Sequence, residues 1–380
     1  MRPTPLLWAA TGILAAAAAA AIPFMLRDTQ GPGGMPRAMA YQPLPARAAV
    51  LTRIAFGSGA AQDRPQPVLD AVRRQSPQLF IYMGDNVHGG VDRENSSPDL
   101  PELRHAYGRL SRRAEFRRLV RSVPVLAIWD DHDYGSSHAG ADFPFRRQSE
   151  RLFRAFWAIG NEDPRAGREG LYHARIFGPP GRRVQIVLLD TRSFRSPLKR
   201  TENWKNTGRP GYVPDPDPAK TMLGEDQWRW LERQLLKPAE LRLIVSSVQV
   251  IAEGHRFEKW ANLPLERQRL FDLIALTGAE GVVLLSGGRH AGGFYEYAEG
   301  TPYPFYEITS GSLNRPIPGL TEPGPHRLGS LYGEINFGML DVDWDARQFT
   351  LALHNGRGRP VDGHMLTLAF GSLETGGVRR

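Results

Sequence analysis

The 380-residue chain contains no cysteine. Disulfides, thiolate nucleophiles, iron–sulfur clusters and Cys-type zinc sites are therefore excluded, although this absence fits any compartment. No internal repeat is visible. No stretch interleaves arginine with exposed aromatics in the manner of a nucleic-acid platform. The formal charge of +8 comes from arginine scattered through faces such as residues 104–121. That pattern reads as background composition, and no specific nucleic-acid partner is expected. No twin arginine precedes the apolar N-terminal run, so a Sec-type route is the simpler expectation.

That run is the first thing present. Residues 6–26 are apolar, dominated by the alanines of 10–21 and ended by Arg27-Asp28. Roughly 20 such residues cross a hydrocarbon core as a helix. Residues 1–27 thus read as a signal peptide or an N-terminal membrane anchor. The protein is expected to be exported, either periplasmic or anchored in the cytoplasmic membrane facing the periplasm. Residues 28–50, with Gly31, Pro32, Gly33, Gly34, Pro36, Pro43 and Pro45, read as a linker. The globular domain is expected over 51–371, with a tail over 372–380.

Within the domain, apolar periodicity predicts strands at 51–56, 79–83, 125–129, 183–189 and 241–245. It predicts helices at 67–74, 100–121, 145–159, 223–236 and 265–276. The last third is strand-rich, at 282–285, 293–298, 306–309, and a hairpin of 338–343 with 348–353. Alternation first and consecutive strands later predicts an α/β chain, a mixed two-sheet sandwich flanked by helices. Residues 201–221, rich in Pro, Asp, Gly and Asn, read either as a lid or as an ordered surface loop.

Three strand-like runs empty into polar loops: Gly84-Asp85-Asn86-Val87-His88, Trp129-Asp130-Asp131-His132-Asp133-Tyr134-Gly135, and Ser286-Gly287-Gly288-Arg289-His290. Ionisable groups gathered where a strand ends must be solvated, hydrogen-bonded or metal-paired. Open α/β sheets bind ligands beyond the carboxyl ends of such strands, so the three loops are expected at one sheet edge.

The order of these loops after Phe56-Gly57-Ser58 resembles the alkaline phosphatase D (PhoD-like) metallophosphatases, from about residue 51 to 353. Leu189-Asp190-Thr191-Arg192, Leu223-Gly224-x-x-Gln227-Trp228-x-Trp230-Leu231 and Asn336-Phe337-Gly338 agree with it. The resemblance implies the four-layer α/β/β/α metallophosphoesterase sandwich and hydrolysis of phosphate mono- or diesters at a multinuclear metal site. It implies Asp85 as the ligand shared by two metals, Asp131 as a ligand of the second and His290 as a ligand of the first. His132 would contact phosphate or protonate the leaving group, and Arg289 would offset phosphate charge. Close-spaced cations clamp a phosphate and lower the pKa of bound water.

Several positions depart from the family pattern. Gly59 stands where the family's iron-ligating Cys is usual, His88 for Tyr, Gly90 for Asp, Ser137-His138 for Asn-Asp, Gly288 for Asp and Gly293 for Glu. Asp85, His88 and His290 still form a one-carboxylate, two-imidazole set suited to zinc or iron with open positions for water. Asp85 and Asp131 remain for a weak second site, with calcium as its ion and His138 as a substitute donor if its loop bends inward. Asn86, Asp130, Asp133 and His255 are further candidates for the pocket. Two functions stand open. One is a phosphoester hydrolase with a rebuilt, mononuclear site, acting on a phosphoester substrate. The other is a membrane-tethered binding or scaffolding module that keeps the sandwich without the chemistry.

Overall fold

In the computed structural model, which describes residues 39–92, 95–202 and 211–376, the near-continuous apolar runs are strands buried on both faces. Strands β1 (Arg53–Gly57), β2 (Leu79–Met83) and β3 (Val125–Ile128) pair in parallel. Helix α1 (Pro67–Arg74) and then α2 (Pro101–Arg112) and α3 (Ala114–Ser122) connect them. After the single turn α4 (Asp131–Tyr134) and α5 (Arg146–Phe156) the chain builds a second sheet. It comprises β4 (His173–Phe177), β5 (Val184–Leu188), β6 (Leu241–Ser246), β7 (Val282–Ser286), β8 (Gly292–Tyr297), β9 (Phe305–Ser310) and β10 (Arg327–Tyr332). Helices α6 (Gly224–Leu235) and α7 (Pro264–Leu276) precede β6 and β7. Finally β11 (Asn336–Asp343), β12 (Gln348–Asn355) and β13 (Pro360–Ala369) return to the first sheet.

The strand orders are β13-β12-β11-β1-β2-β3 and β10-β8-β9-β7-β6-β5-β4. Both sheets are mixed, helices flank them, and one continuous apolar core fills the space between, the expected α/β/β/α sandwich. The parallel sets β1-β2-β3 and β5-β6-β7-β9 send their carboxyl ends to one edge. There the Ser58 N–H donates to the Ser310 carbonyl across the two sheets, 3.0 Å away. This is the edge at which open α/β sheets place ligands.

Four readings change. The helix expected over 100–121 is two helices, parted at Arg113 by an extended backbone (φ −64°, ψ 125°). Its buried residues explain why: Leu103, Ala106, Tyr107 and Leu110 form one stripe, whereas Phe116, Leu119 and Val120 fall out of phase with it. One straight helix cannot bury both sets on one face. Strands β4, β10 and β13 were not expected. They lie at sheet edges, and Gly329 and Gly363, both at positive φ, interrupt the last two. The stretch read as linker is docked from residue 39 onward. Met39, Tyr41 and Leu44 pack on the core, and the Tyr41 hydroxyl donates to the Phe156 carbonyl at 2.6 Å. At the other end Leu373 is buried, and its carbonyl accepts the Gly281 N–H at 2.9 Å.

The N-terminal apolar run lies outside the described residues, as do residues 203–210 of the expected lid. Among the described residues no helix is long and apolar enough to cross a membrane.

Candidate metal centre

Asp85 leaves β2 on a left-handed backbone (φ 51°), and His290 and His138 share that conformation at φ 54° and 62°. Non-glycine residues are held there only when their surroundings over-determine it, and such residues cluster at functional sites. Asp85 is 2 % exposed. Burial and then the charges of Asp131, Asp130 and Asp133 push its pKa well up, against the opposing pull of Arg192. Its Oδ1 has no hydrogen-bond partner.

His88 faces it. The His88 Nδ1 lies 3.0 Å from the Ala60 carbonyl, which can only accept, so the proton sits on Nδ1 and the lone pair on Nε2. That Nε2 is buried without a partner, 3.7 Å from Asp85 Oδ2. Two donors bound to one ion at about 2.0–2.2 Å are separated by at most twice that distance, so an ion fits between them. Burial lowers the His88 pKa to about 2, helped by His132 and Arg315, and the imidazole stays neutral. Gln62 fixes the residue from both sides, accepting from the His88 N–H at 2.8 Å and donating to its carbonyl at 2.9 Å.

The His132 ring lies 4.3 Å from that of His88, and the His290 ring 6.1 Å from it. Asp85, His88 and His132 form the tight donor set, and Asp85, Asp130 and Asp131 a second. His290 stands just outside, its Nδ1 buried and unpartnered. Burial and then Arg315 hold its pKa down at about 4. Unpartnered buried polar atoms cost about 1–3 kcal/mol each, and Asp85 Oδ1, His88 Nε2 and His290 Nδ1 are three of them on the neighbouring β2 and β7 exit loops. A carboxylate with imidazoles in this state fits a resident cation.

Other candidates are engaged elsewhere. The Asp133 carboxylate accepts the N–H of Asp130 at 2.5 Å and of Asn86 at 3.1 Å, and the Asn86 side chain donates to Asp133 and to the Ile128 carbonyl. These two residues stitch the β2 and β3 exits together. Asp130 accepts from Arg192 Nε at 2.7 Å, and Arg192 also donates to Glu258 at 3.0 Å. Glu258 takes Arg195 as well, at 2.9 Å. Asp190 organises Arg192 for this task by accepting the N–H groups of Arg192 and Ser193 and the indole N–H of Trp129. Burial pushes the Asp131 pKa up, but His132, Arg192 and His138 outweigh it and the carboxyl is held well below its usual range. Its Oδ2 accepts the His138 N–H at 2.7 Å. The loop does bend inward: His138 Nδ1 is 3.1 Å from Glu258 Oε2, close but poorly aimed for a hydrogen bond.

Arg289 is bound to Glu322 at 2.6 Å and lies over the Phe257 ring, 4.7 Å from its centre. His255 hydrogen-bonds Gln249 at 2.9 Å and accepts the Phe257 N–H at 3.1 Å. Sequence reasoning singled out no role for Gln62, Glu322 or Arg315. Glu322 lies 33 positions from its partner, a separation that no local pattern reports.

The departures at glycine have a steric account. Gly59 has φ +72°, and a Cβ there would stand 2.2 Å from the Gly311 carbonyl oxygen. Gly288 has φ +68°, and a Cβ there would lie 2.9 Å from the Ser247 carbonyl and 3.1 Å from Asp130 Oδ2. Gly59→Ala and Gly59→Cys are therefore each expected to lower stability by about 1–3 kcal/mol in urea melts. A midpoint equal to the parent's would contradict this packing.

Residues 65–328 match the PhoD-like phosphatase family. Alkaline phosphatase D of Bacillus subtilis (strain 168) is 20 % identical over 285 residues, covering 65 % of this chain and 48 % of that protein. The chain thus spans about half the length of this curated relative. Among solved structures, that of PhoD aligns over 88 % of this chain and 73 % of its own at 15 % identity, with a TM-score of 0.66. A purple acid phosphatase from yellow lupin seeds aligns over 86 % and 55 % at 10 % identity, with a TM-score of 0.55. GAP50, the anchor in the inner membrane complex of Plasmodium, aligns over 86 % and 90 % at 14 % identity, with a TM-score of 0.52. At these identities the shared property is the sandwich fold.

Proposed function

Because the chain belongs to the PhoD-like phosphatase family, we propose that it is a metal-dependent phosphoester hydrolase working from a rebuilt, mononuclear site. The observation that carries this reading is the buried, unpartnered His88 Nε2 aimed at Asp85, its tautomer set by the Ala60 carbonyl. Asp85 and His88 would hold the ion, with His132 and His290 as the flanking imidazoles. The donor set suits zinc or iron(II). When bound, such an ion polarises a phosphoryl oxygen and lowers the pKa of water.

The chain's own groups do the rest. The Ala60 carbonyl and Gln62 keep the His88 ring oriented and neutral, the usual task of partners behind a ligating histidine. In this reading His132, half-buried against His88, would contact the phosphate or protonate the leaving oxygen. Asp130 is already bonded to Arg192, and Glu258 to Arg192 and Arg195. That engagement leaves Asp131, beside Asp85, as the carboxylate for any second ion. The apolar run over 6–26 supports an exported domain, which protease accessibility in intact cells would test.

Metal content of the purified full chain, measured by mass spectrometry beside hydrolysis of nitrophenyl mono- and diesters, tests the reading. Near-stoichiometric zinc or iron that disappears in His88→Ala, together with hydrolysis, is expected. A folded protein that takes up neither metal and cleaves neither ester would instead support the tethered binding module.

A further inference from the structure

Every phosphatase needs a cation for its phosphoryl oxygens, and the neighbouring cations are almost all occupied. Arg289 is closed on Glu322, Arg192 on Asp130 and Glu258, and Arg195 on Glu258. Lys259 donates to the carbonyls of His255 and Phe257. Arg315 differs. It is half-buried, and among the described residues its guanidinium has neither a hydrogen bond nor an ion pair.

Its backbone runs between the β1 exit loop, whose Ala60 carbonyl holds the His88 ring, and the loop that carries His290. The Leu313 N–H donates to the Ser58 carbonyl at 2.8 Å and the Asn314 N–H to the Gly59 carbonyl at 3.3 Å. The Asn314 side chain accepts from the Ala61 N–H at 2.6 Å and donates to the Ala61 carbonyl at 2.9 Å. On the far side the Ile317 N–H donates to the His290 carbonyl at 3.1 Å. A loop pinned this way has its backbone ordered before binding, so that only the rotamer freedom of the arginine side chain is lost when it binds. A planar guanidinium matches two phosphoryl oxygens at once.

We infer that Arg315, rather than Arg289, is the residue that grips the phosphoryl group, an assignment that rests on the hydrolase reading and names its phosphate-binding side chain. The test is calorimetric titration of orthophosphate into the full chain, with metal content, melting temperature, KM and kcat recorded in parallel. Arg315→Ala should weaken orthophosphate binding and raise KM by at least about tenfold, with metal content and melting temperature unchanged. Arg315→Lys should recover part of the loss, because it keeps the charge without the fork. An Arg315→Ala protein that binds orthophosphate as tightly as the parent overturns the assignment while leaving the hydrolase in place. If the parent carries no metal and cleaves nothing, yet loses orthophosphate binding in Arg315→Ala, the hydrolase reading fails and the assignment holds. A parent that binds no orthophosphate overturns it outright.

Discussion

Asp85→Asn is expected to abolish metal binding and hydrolysis while raising the melting temperature of the metal-free protein. Asparagine tolerates the left-handed backbone at this position, so the change tests charge rather than geometry. Without an ion, the Asp85 carboxylate is buried among Asp131, Asp130 and Asp133, which together with burial raise its pKa. A carboxyl whose folded pKa exceeds its unfolded value binds a proton more readily when folded. Stability therefore falls as pH rises through that window. Removing the charge should recover about 1–3 kcal/mol at neutral pH and flatten this slope. Metal reverses the order. At a free concentration 100 times its Kd an ion stabilises the parent by about 2.7 kcal/mol and the variant not at all. Calorimetric melts with and without zinc should show the two proteins exchanging rank, and activity should drop by more than the roughly 10–100-fold that loss of an outer partner costs. A metal-free variant melting below the parent at neutral pH would sink the argument.

The second large effect is at Arg192, which is 1 % exposed between Asp130 and Glu258, at 3 % and 8 %. Arg192→Met leaves two buried carboxylates short of their main counter-ion and should cost about 3–5 kcal/mol. The pH profile makes the test specific. Burial raises the Glu258 pKa, but Arg192, Arg195 and His138 more than reverse this and hold the carboxyl below its usual range. Its stabilising contribution is thus complete above the unfolded pKa and is lost as pH falls through the depressed folded value. In the variant the carboxyls become easier to protonate when folded, and acid should relieve rather than aggravate the defect. Urea midpoints should show a larger deficit at pH 8 than at pH 5. A deficit under about 1 kcal/mol, or one independent of pH, would mean that the network behaves like a surface pair.

Loops that follow fully apolar runs are legible from sequence alone, because a strand buried on both faces leaves no polar residue until it ends. Asp85, His88, Asp131, His132 and His290 all stand where such a run stops, and the structure brings them to one edge. The strands that escape such reading are half-exposed and at sheet edges, as in β10 and β13, where burial does not follow a clean alternation and glycine interrupts the run. Which charged side chains are free is equally hidden. Arg289 looks available in its motif, yet Glu322 claims it from a distant loop. Arg315 follows Ser312-Leu313-Asn314, with no titratable neighbour to mark it. Its standing depends on β9 and β1 meeting across the sandwich.

The close approach of Gly59 to the Gly311 carbonyl also limits which donors the site can take up. A side chain at position 59 must first move a loop whose position is held by Asn314 on Ala61 and by Leu313 on Ser58. A Cβ on Gly311 would crowd the His290 backbone nitrogen at 2.8 Å and the Ala291 carbonyl at 2.9 Å, so the loop is held to glycine at both positions. The same loop carries Arg315. A larger residue at position 59 would therefore shift the loop that presents this guanidinium as well as the imidazoles.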